Sequence, residues 1–263
     1  MNKKKIIIQF NEANFDLINL YVNKYNFINL KKVLNLPCKI VTSSEKEYNN
    51  LEPWIQWYSF YTNKSYDEHQ VFHLGDSIKK NFKPFFEVAN LDKVSIFGSM
   101  NIPFSKKIDV FIPDAWSELS PDKSISSRFV SSALKQIVND NSKFKITFGS
   151  LFGLILLIGI PKSINDLKIA LKSIQALFNK SRADLASLFD YYFFSYSMKR
   201  IAKMQNNLSM IFLNGLAHVQ HHYMISSEFV PGSNPKWYAK KTDHLLNALK
   251  NYDYLFGKYK DKF

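Results

Sequence analysis

Two rhythms of apolar and polar positions run along this chain, and the change from one to the other divides it. Lys5–Phe10 (KIIIQF) is a β-branched run closing on polar residues. That is the pattern of a buried parallel strand whose C-terminal end opens onto a site. Asn14–Val22 and Asn29–Leu36 repeat apolar residues at helical spacing and predict amphipathic helices. Cys38–Thr42 (CKIVT) predicts a short strand. A helix is expected over Trp54–Thr62, with Pro53 at its first position, where a missing N–H costs nothing, and Asn63-Lys64-Ser65 as the turn that ends it. Ser77–Val88 predicts another helix, with Phe82, Phe85, Phe86 and Val88 on its apolar side. Lys93–Gly98 (KVSIFG) and Val110–Pro113 (VFIP) predict two more strands.

Strands alternating with helices at this spacing argue for an α/β fold, a mostly parallel sheet flanked by helices. From Ser126 to Tyr196 the rhythm is almost wholly helical, including Lys168–Phe178. Asn207–Leu213 (NLSMIFL) then restores the buried-strand pattern, and Thr242–Gly257 reads as a closing helix. One domain follows, with a core over 1–125 and 205–263 and a helical cap inserted at 126–204.

Composition adds a partner class. The chain has 263 residues, 46% hydrophobic and 16% aromatic, enough for a sizeable core. A formal net charge of +13 points to an anionic partner: a small phosphorylated molecule, a glycan or lipid phosphate, or a lipid surface. No basic run interleaved with aromatics marks a nucleic-acid groove, so nucleic acid is not expected. The single cysteine, Cys38, excludes an intrachain disulfide, fits a reducing, cytoplasmic setting and reads as a small buried residue. The apolar run Phe148–Pro161 is too short to span a bilayer, for which roughly twenty residues are needed. With Lys143, Lys145 and Lys162 beside it, it is a candidate for peripheral membrane contact.

Three polar clusters follow strand-like runs: Asn11-Glu12, Asp114, and Asn214 with His218, His221 and His222. Residues beyond the C-terminal ends of parallel strands converge on one crevice, which makes Asn214 and Asp114 candidates for holding a substrate. The three histidines lie at i, i+3 and i+4, one face of a helix. Imidazoles combined with a carboxylate suit zinc or manganese, although a histidine can equally serve only to satisfy a buried polar group. At Glu52-Pro53 a helix N-terminus favours an anion, against the plainer reading of an aromatic core helix. The spacing is not HExxH, and no GxSxG, GxGxxG or GxxxxGK[ST] is present.

These residues resemble a known family. Gln9–Ile18 (QFNEANFDLI) is similar to the opening of the alkaline phosphatase superfamily, in its type I phosphodiesterase/nucleotide pyrophosphatase branch. There a strand ends in a metal-binding Asp-Gly followed by a phrase like ATFDLI. Trp57–Asn63 (WYSFYTN) and then His69–Phe72 (HQVF) resemble that branch's WTSFxTG and HGxF. Val94–Gly98 through Pro103 looks like the strand and loop that follow. Asn214–Tyr223 is similar to its metal segment, with His221 at the ligand histidine. The likeness is nearest to a bacterial subgroup reading Asn-Glu, then Asp/Glu-Pro-Trp-Ile-x-Trp, then a histidine-rich NHxAHxxHHYW.

The resemblance implies a metal-dependent hydrolase or transferase of phosphate or related esters, in surface-glycan or lipid-linked metabolism. Asn11, Glu12, His218, His221 and His222 would hold the metal, and Glu52 would be ligand, base or an unusual nucleophile. The departures favour a different outcome, a degenerate relative that binds an anionic ligand or partner, at a membrane surface in one version. Asn11 replaces the first metal Asp, and the nucleophile position falls on Pro53. Asn63 and Gln70 replace glycines, Ala217 replaces an Asp, and Gly215 stands where the subgroup has His. No Asp-His-Gly segment precedes Phe263, which implies a truncated protein or a simpler site than the two-metal one.

Overall fold

The computed structural model describes residues 4–38, 40, 42, 45–139, 147–159, 161, 163–179, 181–230 and 242–262. The chain is an α/β protein with a four-stranded sheet: β1 (Lys5–Phe10), β2 (Val94–Phe97), β3 (Ile108–Ile112) and β4 (Leu208–Leu213), in the order β1-β4-β2-β3. Every neighbour pair is parallel. Val94 to Phe97 face Leu208 to Ile211 in register, and Ser95 to Phe97 face Val110 to Ile112. At the β1–β4 edge, Lys5 N–H donates to Asn207 O at one end and Asn11 N–H to Leu213 O at the other. Burial follows this order. Central β2 and β4 are buried at every position, as expected for strands covered on both faces, whereas outer β1 and β3 are mixed.

Two compact units divide the chain. The first comprises Met1–Gln9, Thr42–Gly159 and Ser195–Phe212. Its core joins Val94 and Ile96 of β2 with Leu208 and Met210 of β4, covered by Tyr61, Phe86 and Ile102. Tyr61 comes from α3 (Pro53–Thr62), which starts at Pro53 and stops where Asn63 turns left-handed (φ 52°). A short α4 (Tyr66–His69) follows, opened by a Ser65/Glu68 capping box. Also in this unit, α6 (Ile125–Asn139) packs on α7 (Phe148–Ile158). Gly153 of α7 lies so close that a Cβ there would stand 2.1 Å from the Phe129 carbonyl oxygen.

The second unit comprises Phe10–Val41, Ile160–Phe194 and Leu213–Phe263. Here α1 (Phe15–Tyr25) is capped by Asn14, whose side chain accepts the Leu17 N–H at 3.0 Å. Asp253, on α11 (His244–Tyr259), likewise accepts the Asn29 and Leu30 N–H groups at the start of α2 (Ile28–Leu34). α11 buries Leu245, Ala248, Leu249, Tyr252, Leu255 and Phe256, a stripe at three- and four-residue spacing. The unit also holds α8 (Ile164–Phe178), α10 (Gly215–Tyr223) and the first part of α9 (Arg182–Lys203). The helices of 126–204 are therefore shared between the units, α6 and α7 in one and α8 in the other.

Three local expectations are corrected. Ser77–Val88 is not one helix: a 3-10 turn covers Asp76–Lys79, and α5 (Phe85–Val88) starts only after Pro84. Proline has no N–H and disfavours helical geometry in the residue before it. Within Cys38–Thr42, residues 39 and 41 lie outside the described residues, and Cys38, Ile40 and Thr42 carry no strand geometry. Cys38 is exposed rather than buried. Among the described residues no helix is long and apolar enough to cross a membrane.

Candidate functional site

At the end of β1 the chain turns through Asn11 and Glu12, and at the end of β4 through Asn214 into α10. Both turns belong to the second unit. The buried Asn11 side chain donates to Asn214 Oδ1 at 2.8 Å, tying one turn to the other. Glu12 adopts a left-handed backbone (φ 48°), uncommon for a residue with a side chain. Gln220 holds that geometry from both sides, donating to the Glu12 carbonyl and accepting the Asn14 N–H at 3.1 Å. The Glu12 carboxylate then meets His221 Nε2, with His221 58% exposed at its side chain. A carboxylate and an imidazole delivered from two strand ends make an exposed polar corner able to accept and donate protons.

The start of α10 is held by a group that sequence reasoning missed. Asp190 of α9 is buried, and its Oδ2 accepts the Gly215 N–H at 2.7 Å and the Tyr252 hydroxyl at 2.6 Å. An acidic side chain therefore caps the first turn of α10, where the helix dipole favours negative charge. Burial nevertheless pushes its carboxyl up to about 7, outweighing the hydrogen bonds that pull it down. Gly215 is confined to glycine by contact, since a Cβ would lie 2.6 Å from the Ala186 carbonyl oxygen and 2.8 Å from Asp190 Oδ2. The one signal in the sequence was a single acid inside an otherwise aromatic run, Phe189–Phe194 (FDYYFF).

The three expected histidines do share α10, but they part ways. His218 and His222 meet in a tilted contact with ring centroids 4.6 Å apart, while His221 turns to Glu12. Burial, reinforced by His222, Arg182 and His221, lowers the His218 pKa to about 4, so His218 is neutral at pH 7. Tyr223 extends the ring contacts to His244 (4.8 Å), a fourth histidine not singled out in the sequence, which sits 3.9 Å from Asp184.

Asn11, Glu12, Asn214, His218, His221 and His222 thus all fall in the second unit, and Glu52 and Asp114 in the first. Glu52 is exposed and sits at the N-cap of α3 without a side-chain capping bond. Asp114 is buried. Its Oδ1 accepts the Trp116 and Ser117 N–H groups and so shapes its own loop, Oδ2 has no hydrogen-bond partner among the described residues, and burial raises its pKa. In the same unit Ser59 lies 2.9 Å from buried His69, the geometry of an activated nucleophile. His69 Nδ1 accepts the Val71 N–H, so the ring proton sits on Nε2 and donates to Ser59. A ring in that tautomer cannot take the serine proton.

Among the described residues, no three His, Cys, Asp or Glu side chains are grouped so as to hold a metal ion. Zinc or manganese finds a carboxylate and one imidazole in the Glu12–His221 pair, short of the three protein ligands a catalytic zinc site uses. No protein-family model, curated protein or solved structure matches this chain.

Proposed function

We propose that the protein is alkaline phosphatase-like and meets a phosphate-type ester at the Glu12–His221 corner. The carrying observation is that these two side chains, from the turn after β1 and the helix after β4, come into contact. His221 and His222 are exposed donors for phosphate oxygens, and Arg182 adds positive charge beside His218. A further observation supports the family reading. Glu12, Asn63 and Gln70 stand where the resembled motifs carry glycine, and all three have positive φ, at 48°, 52° and 53°. The backbone keeps turns that glycine would enter without strain. Gln70→Gly is accordingly expected to stabilise the protein by about 0.5–1 kcal/mol in urea unfolding. A loss of stability would show that the bonds from Gln70 Nε2 to the Tyr66 and Asp67 carbonyls outweigh the strain that glycine relieves.

Binding without turnover is the better-supported form. Pro53, first residue of α3, occupies the position of the family's nucleophile, and a proline cannot attack phosphorus. The second form is a metal-dependent hydrolase or transferase of phosphate esters; it is favoured by Glu12 and His221 being donor types that zinc and manganese accept. One experiment separates them. The purified protein is titrated with phenyl phosphate while histidine resonances are followed by NMR, and assayed for nitrophenol release from bis(p-nitrophenyl) phosphate with zinc or manganese. Binding without turnover predicts shifts at His221 and His222 that are lost in His221→Ala, and no release. Turnover that falls at least about tenfold in His221→Ala, with loss of bound metal, would establish the hydrolase instead. Neither shifts nor release would remove both.

A further inference from the structure

Helix α8 is covered on one side only. Ile169 and Ala176 are buried, and Ser173 bonds to Tyr192, so these three face the protein. Ile164, Leu167, Leu171, Ile174 and Phe178 recur at steps of three and four residues along another stripe, and every one of them is exposed, by 45 to 83%. A surface helix ordinarily turns such a stripe inward. Contiguous exposed apolar side chains on this scale mark an interaction surface.

Charge indicates what covers it. Lys168 and Lys172 are exposed at the border of the stripe. The only acidic residue of the helix, Asp166, is already engaged by Lys258 and by the Tyr191 hydroxyl at 2.6 Å. The accessible part of α8 is thus apolar and cationic, on a chain of net charge +13. An exposed apolar stripe recurs independently in α7, formed by Phe148, Leu151, Phe152, Ile155 and Ile158 (40 to 86%). Neither helix is long and apolar enough to cross a bilayer.

We propose that α8 is an interfacial membrane helix that docks this protein on an anionic lipid surface. Its apolar stripe enters the boundary between headgroups and acyl chains, and Lys168 and Lys172 pair with lipid phosphates. The lipid chemistry needed is a negatively charged headgroup, because two lysines add attraction only to an anionic surface. An ester ligand of the Glu12–His221 corner is a separate matter, and either reading stands if the other falls.

Flotation of the full chain with vesicles tests this. Vesicles of phosphatidylcholine containing roughly one third phosphatidylglycerol are expected to carry the protein, and pure phosphatidylcholine vesicles to carry at least about tenfold less. Leu171→Gln with Ile174→Gln, both at exposed positions, should lower partitioning about tenfold or more while leaving the circular dichroism spectrum unchanged. Lys168→Glu with Lys172→Glu should lower it by a similar factor and only on the anionic vesicles. No flotation on the anionic vesicles would overturn the proposal. So would flotation indifferent to both pairs of substitutions, or a concentration-dependent dimer in sedimentation that Leu171→Gln with Ile174→Gln abolishes while lipid binding persists.

Discussion

Gly153→Ala is expected to lower the unfolding free energy by about 3 kcal/mol, whereas Gly149→Ala, one turn earlier on α7, should leave it unchanged or raise it slightly. Both glycines face α6, but a Cβ at 153 would lie 2.1 Å from the Phe129 carbonyl oxygen, 2.8 Å from its carbon and 2.9 Å from the Ala133 Cβ. Two of those atoms are backbone, so the new methyl forces the helices apart and also disturbs the Phe129–Phe152 edge contact at 4.8 Å. At 149 the nearest atom is Ser132 Oγ at 3.7 Å, an ordinary contact. There alanine brings only its better helix propensity. Urea midpoints for the two variants decide the matter. Equal midpoints would mean that α6 and α7 do not pack backbone to backbone at Gly153.

The second large effect belongs to Asp190. Its carboxyl sits at about 7 in the folded protein against 3.8 for an ordinary aspartate. Between those values the folded chain holds a proton that the unfolded chain has released. The stabilisation is therefore complete below 3.8, declines as pH rises through about 7, and is gone above it. The size is on the order of 4 kcal/mol over the whole window. His218 acts in the opposite sense, since its value of about 4 lies below the usual 6.5. Its contribution is full above 6.5 and is lost as pH falls towards 4, and partial exposure to solvent reduces it. Asp190→Asn keeps an acceptor for the Gly215 N–H and Tyr252 hydroxyl and cannot ionise. The difference in stability between parent and variant should move in the variant's favour by roughly 2–3 kcal/mol from about pH 5 to about pH 8. Taking the difference cancels the His218 slope. A constant difference across that range would show that Asp190 is ionised throughout.

The parts of the fold legible in the sequence were those set by local pattern. Leu208–Leu213 is apolar at nearly every position because β4 is buried on both faces, and that continuity is visible without neighbours. Pro53 and Asn63 mark helix ends by their own chemistry, and both do so here. Phe85, Phe86 and Val88 mimicked the apolar side of a longer helix, and Pro84 outweighed them. Glu12 and His221 were grouped through the convergence of strand ends and through the resemblance, since their contact depends on two strand ends lying side by side, which no short stretch encodes. Asp190 was hidden for the opposite reason. Its partners, Gly215 and Tyr252, are distant in sequence, and an isolated acid in an aromatic helix looks like a solvated position until its burial is known. Asp114 was read as facing a ligand because it follows a strand, whereas one of its oxygens serves the adjoining turn.

Gln220 gives the Glu12 corner a property beyond its shape. It grips the chain at the Glu12 carbonyl and at the Asn14 N–H, on either side of the left-handed residue. The backbone under the carboxylate is thus immobilised when the protein folds, not when something arrives. A ligand that engages Glu12 forgoes the entropic loss of ordering a loop, so even a weakly attractive one can be held in one orientation. The left-handed turn is an investment of conformational freedom made in advance.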